Sequence, residues 1–90
     1  MKSDILSAFG NPTRLKLLIC LEKRERNVTD LIDNCGLSQS AVSQHLEKLR
    51  GANIVSAKRN GKEIIYKLNN KKSAKIAKAL IKFEKEVGNK

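Results

Sequence analysis

Between Ser38 and Gln44 the chain carries Gln39, Ser40, Ser43 and Gln44, four neutral side chains that both donate and accept hydrogen bonds. None of them ionises near neutral pH. Their chemistry is matching, since Gln can bond adenine at two points and Ser can meet several bases in the major groove. At 100° per residue, Val42, Leu46 and Leu49 fall on one side of a helix over residues 38–51. Ser40, Ser43, Gln44 and Glu47 fall on the other, with Gln39 at the exposed N-terminal end. A merely solvated face is more often filled with Lys and Glu. The plain alternative is an ordinary amphipathic helix with a serine cap.

Other reactive types are few. Enzymatic chemistry is not expected: there is no Ser/His/Asp set, no phosphate-cradling glycine loop and no carboxylate pair in a predicted cleft. The single histidine, His45, lies in the same predicted helix near the flank of its core face, and is read first as a packed residue and second as a DNA contact. Cys20 and Cys35 have two readings. Both can be small buried apolar side chains, or they can form a redox switch in which oxidation strains the DNA-reading helices and lowers DNA affinity. No metal and no other cofactor is expected, because a Zn or Ni site needs several nitrogen or sulfur ligands gathered together.

Ninety residues make one domain, 1–90, with a small core that a partner subunit would help to stabilise. Aromatic residues are limited to Phe9, Tyr66 and Phe83, so Leu, Ile, Val and Ala must fill the core. Nineteen Lys and Arg oppose nine Asp and Glu, a net charge of +10. The excess lies late in the chain: six basic and five acidic groups in residues 1–37, six and two in 38–70, seven and two in 71–90. That balance suggests a polyanion, and nucleic acid is the usual one. No stretch reaches the ~18 apolar residues of a membrane span, and "ILSAF" is too short for the apolar region of a signal peptide. A cytoplasmic location without membrane contact is expected.

The elements that must hold these residues are legible. "DILSAF" reads as a short helix with Ile5, Leu6 and Phe9 on one side, ended by Gly10. Asn11 can cap a second helix, and Pro12 suits its first position. Asn27 can cap a third, which Gly36 stops in the left-handed C′ conformation. Ser38 caps the fourth at once, giving a helix-turn-helix over 28–52. Asn60–Gly61 between "IVSAKR" and "KEIIYKL" signals a hairpin, a wing over 54–68 tipped by Lys58, Arg59 and Lys62. A last helix over 71–87 carries an apolar stripe at Ile76, Leu80, Phe83 and Val87. The fold class is mainly α with a small β-hairpin, a winged helix-turn-helix in the order α-α-α-α-β-β-α. Gln39, Ser40, Ser43 and Gln44 are the candidate base readers. Ser38, His45, Lys48, Arg50, Lys58, Arg59 and Lys62 are the candidate phosphate and wing contacts, which set position rather than sequence.

"GNPTRLKLL", "VTDL", "LSQSAVSQHLEKLRGANIV" and "RNGKEIIYKL" occur in this order over residues 7–68. Together they resemble the ArsR/SmtB family of winged-helix repressors, and "LSQSAVSQHL" resembles its HlyU/BigR-like, non-metal subgroup. The resemblance implies a homodimer paired through the first and last helices, at Ile5, Phe9, Ile76, Leu80, Phe83 and Val87. It also implies an inverted-repeat operator in double-stranded DNA, one half-site per recognition helix. Many members bind metal through Cys-x-Cys at the start of the third helix, where this chain has Asn27 and Thr29. Another family site uses His and carboxylates on the last helix, which here has no His. Thiol-responsive members have one cysteine in the second helix and one in the last. Here the last helix has none, and Cys20 is shifted by a residue.

The expected function is therefore a sequence-specific, homodimeric transcriptional repressor with an unknown inducer and a candidate thiol response. Two alternatives stay open: a non-inducible architectural or weakly specific DNA-binding protein, and a winged helix whose basic wing meets an acidic protein.

Overall fold

The computed structural model describes residues 4–88. Its elements are α1 (Asp4–Ala8), α2 (Pro12–Lys23), β1 (Arg26–Asn27), α3 (Val28–Cys35), α4 (Gln39–Gly51), β2 (Val55–Asn60), β3 (Glu63–Leu68) and α5 (Lys72–Gly88). Each helix boundary has a local cause. The Asn11 side chain accepts from the N–H groups of Thr13 at 2.8 Å and Arg14 at 3.2 Å, and Pro12 follows at the first turn. Asn27 accepts from Asp30 N–H at 2.7 Å. Gly36 stands at φ 66°, ψ 33°, and stops α3 in the left-handed region that a Cβ disfavours. Asn53, at φ 63°, turns the chain out of α4.

The core is aliphatic, as the composition demands. Leu17 and Leu18 of α2, Leu31 of α3, Val42, Leu46 and Leu49 of α4 and Val55 of β2 are fully buried. α2 runs through the middle, packing against α3, α4, β3 and α5. From the wing, Tyr66 is the buried aromatic. The buried stripe of α4 turns its opposite face outward by geometry alone.

Three details depart from the sequence reading. The sheet has three strands, in the order β1-β3-β2, because Arg26 and Asn27 pair antiparallel with Tyr66 and Ile65. Two residues are too few to show a strand period, and Asn27 serves as both strand residue and helix cap. The wing turn is centred on Gly61 and Lys62, since Asn60 still pairs with Glu63. Only Gly61 there takes a positive φ, 65°, the pattern of a type II′ turn. Ser38 occupies the N-cap position of α4, yet its side chain makes no capping bond. Its carbonyl instead accepts from Val42 N–H at 3.0 Å.

With these elements the fold is a winged helix-turn-helix. Gly36→Ala forces a Cβ into the left-handed region between α3 and α4, and should cost about 1–2 kcal/mol of stability. Urea unfolding of the two proteins checks this; unchanged stability would show that the turn does not depend on that conformation.

Candidate nucleic-acid interface

α4 enters directly from the Gly36–Ser38 turn and leads directly into the wing. Ala52 N–H donates to Lys48 O, Asn53 N–H to Arg50 O and Ile54 N–H to Leu49 O, at 3.1, 2.9 and 3.0 Å. Asn69, just past β3, donates through its side chain to Asn53 O at 2.8 Å and through its backbone to Ile54 O at 3.0 Å. The exit of α4 and both ends of the hairpin are thus tied at one point.

Gln39, Ser40, Ser43 and Gln44 are all exposed on α4. So are Ser38, Lys48 and Arg50, and the wing cations Lys58, Arg59 and Lys62. The side chains that can read bases therefore lie in the first two turns of α4, and the cations lie later, at its C-terminal end and on the hairpin. Glu47, the one acid on the reading face, is paired: Arg50 donates to its carboxylate at 2.7 and 3.3 Å. That bond holds the Glu47 carboxyl below the usual carboxylate range and raises Arg50. It also partly occupies Arg50, which makes Arg50 a weaker candidate for a phosphate than Lys48. On the wing, Arg59 Nε donates to Gly61 O at 3.4 Å, and Asn27 donates to Glu63 at 2.7 Å.

His45 is half-buried and faces inward. Its Nδ1 lies 3.0 Å from Nη1 of Arg14, a residue the sequence reading did not single out. Because the guanidinium can only donate, Nδ1 must be the bare acceptor of a neutral imidazole. This ring is thus packed against Arg14 through Nδ1. Arg14 gave no signal in the sequence, since one cation among nineteen basic residues carries no pattern.

Cys20 and Cys35 are joined as a disulfide linking α2 to the last residue of α3, with Cα atoms 6.3 Å apart. Both are only half-buried. Lys16, Lys23, Arg26 and Asn34 surround them in a shallow groove. Arg26 also donates to Cys20 O at 2.9 Å and to Asp30 at 3.0 Å. Among the described residues no group of three or more His, Cys, Asp and Glu gathers as a metal site.

On α1 and α5, Ile5, Ile76, Leu80, Phe83 and Val87 are large apolar side chains left exposed, with Phe83 at 63%. Phe9 is half-buried against the core. One groove lies between the start of α2 and α5, beside Leu80, Phe83 and Val87, and another lies between α1, the exit of α4 and the start of α5, beside Ile5 and Ile76. No helix among the described residues is long and apolar enough to cross a membrane.

The model of a family described as "Bacterial regulatory protein, arsR family" matches residues 11–57, from the cap of α2 into β2. The chain belongs to the arsR family. Among its relatives, the nodulation protein NolR of Rhizobium meliloti is 48% identical over 78 residues, which is 87% of this chain and 64% of that protein. The transcriptional repressor PagR of Bacillus anthracis is 42% identical over 79 residues, 87% of this chain and 79% of that protein. In three dimensions the chain is similar to the transcriptional repressor BigR of Xylella fastidiosa, with TM-score 0.76 and 35% identity over 89% of this chain and 82% of that one. The arsR-family chain thus spans less than two thirds of NolR's length, and its matched part contains the whole helix-turn-helix. PagR and BigR are transcriptional repressors by name.

The His45 contact has a pH signature. Burial, with the Arg14 charge beside it, holds the imidazole below its ordinary value of 6.5. The unfolded chain therefore binds the proton first. The stabilisation is complete above that ordinary value and is lost as pH falls through it toward the lower folded value. The stability gap between the native protein and His45→Gln, which keeps an acceptor that does not titrate, should narrow between about pH 7.5 and about pH 5.5. Urea unfolding at both pH values measures it; a constant gap would mean that the ring does not titrate differently on folding.

Proposed function

We propose that the protein is a homodimeric, DNA-binding transcriptional repressor of the cytoplasm that reads an inverted-repeat operator with α4. The observation that carries this is the exposed neutral face of Gln39, Ser40, Ser43 and Gln44 over the first two turns of α4. Early residues of a recognition helix are those that reach base edges in the major groove. Lys48 and the wing residues Lys58, Arg59 and Lys62 supply phosphate contacts, with Ser38 and Arg50 at the margins. Membership of the arsR family supports the reading, as do the repressor names of PagR and BigR. The exposed apolar side chains of α1 and α5 support pairing of two copies, since Ile5, Ile76, Leu80, Phe83 and Val87 would otherwise face water, with half-buried Phe9 beside them.

A selection from random-sequence duplexes, followed by footprinting, tests the function. Protection of a short inverted repeat is expected. Diffuse protection would favour an architectural DNA-binding protein, and weak binding with little salt dependence would favour a protein partner. Gln39→Ala should reduce the preference for the selected duplex over random DNA by about 1–3 kcal/mol. Arg59→Ala should weaken both alike and flatten the salt dependence by about one unit of slope. Unchanged discrimination in Gln39→Ala would remove Gln39 from the base readers.

The Cys20–Cys35 pair supports a thiol response as part of the same function. Reduction by a small dithiol breaks the S–S bond, puts two electrons and two protons on the protein sulfurs, and leaves the reagent as its own disulfide. The linked pair pins the end of α3 to α2, next to the turn that launches α4. Freed of that tether, α3 and α4 can adjust together as they dock, so the reduced protein should bind the selected duplex several-fold more tightly than the oxidised one. Equal affinities in the two redox states would remove the switch.

A further inference from the structure

One guanidinium joins three segments distant in sequence. From the first turn of α2, Arg14 donates through Nε to Ala8 O at 2.9 Å and through Nη2 to Ser7 O at 2.9 Å. Its Nη1 meets His45 of α4 at 3.0 Å. We propose that Arg14 is a positioning residue for DNA reading: it locks α1 to the recognition helix through His45, and so sets the seat of α4 from the element that carries Ile5 and leads into Phe9. The inference rests on the DNA-reading role proposed above for α4.

The physical grounds are direct. α1 has five residues, too few to persist as a helix without tertiary support. Its terminal carbonyls carry the partial negative charge of a helix C-terminus, and a cation there is favoured. Asn11 caps α2 by accepting from the Arg14 backbone N–H at 3.2 Å, which fixes the base of the Arg14 side chain. A planar fork can serve two adjacent carbonyls and a ring nitrogen together, whereas an ammonium cannot match that spread. On α4, His45 directly follows Gln44 and comes two residues after Ser43, so a shift of its ring moves the candidate readers with it. Arg14 is half-buried, with three of its donors engaged within the fold. It is placed to orient, not to grip phosphate.

The probe is a duplex enriched from a random pool by the unaltered protein. Arg14→Met keeps the stem and removes the fork. In the folded variant the affinity should fall about tenfold, a change of roughly 1.4 kcal/mol. The slope of affinity against salt should stay the same, because no phosphate contact is lost. By NMR the His45 imidazole should titrate closer to its ordinary value. Arg14→Lys should recover part of the stability through the α1 carbonyls, but little of the affinity. His45→Ala leaves Arg14 on α1 and cuts only the link to α4; it should lose affinity similarly, and the double variant should be no worse than either single one. His45→Ala also carries the test should Arg14→Met not fold. Full affinity in folded Arg14→Met or in His45→Ala would overturn the proposal, as would a salt slope reduced by about one, which would make Arg14 a phosphate ligand. A pool that yields no enriched duplex would sink the DNA-reading role of α4, and this inference with it. Enrichment combined with indifference to both substitutions would sink the positioning role alone.

Discussion

The burial of three side chains on one stripe of α4 governs most of what this molecule can do. Val42, Leu46 and Leu49 are fully enclosed against the leucines of α2 and α3. Removing a Leu of this kind from a core typically costs about 2–5 kcal/mol, so the rotational setting of α4 about its own axis is held firmly. Once that stripe is committed inward, Gln39, Ser40, Ser43 and Gln44 have no apolar partner and no buried polar partner to turn toward. Their exposure follows from the packing of their neighbours. The reading face and the core are two consequences of one helical period.

Around that helix, polar bonds settle what apolar packing leaves open. The leucines fix how α4 is rotated, but they constrain its slide along its axis less strictly. Its two ends are held by different means. At the C-terminal end, Asn53 and Asn69 bind the exit of α4 to the base of the wing. Near the N-terminal end, Gly36 defines where α3 stops. In the middle, Arg14 reaches His45. The outer charges act more weakly. Glu22 pairs with Lys78 between α2 and α5, and Arg24 with Asp30, at positions screened by water.

The sequence announces those features that a single residue type decides locally. Asn11, Asn27, Gly36 and Asn53 each do what their chemistry favours, and the helix boundaries follow from them. The apolar period of α4 reveals which of its faces is buried, whereas the stripe of α5 marks a face left exposed at Ile76, Leu80, Phe83 and Val87. What escaped sequence reasoning depended on partners far away in the chain. β1 exists because Tyr66 and Ile65 offer it an edge, not because Arg26 and Asn27 favour a strand. Ser38 looks like a cap by type, yet in the fold its carbonyl rather than its hydroxyl meets the helix. The contact between Cys20 and Cys35 arises from the angle at which α3 returns along α2, and spacing alone does not encode that angle. The exposed face of α4 was legible from periodicity. Its attachment to α1 through Arg14 was not, because that bond joins residues 31 apart.

The two-residue strand β1 has a mechanical consequence. It grips β3 only at Ile65 and Tyr66, so β3 is paired on both edges at mid-strand and the hairpin is braced from the β3 side. Beyond Lys58 and Ile65 the ladder consists of β2 and β3 alone, out to the turn at Gly61. The wing is therefore braced from one side, by β1 at mid-strand and by the Asn27 side chain on Glu63, with Arg59 and Lys62 past the last three-stranded pair.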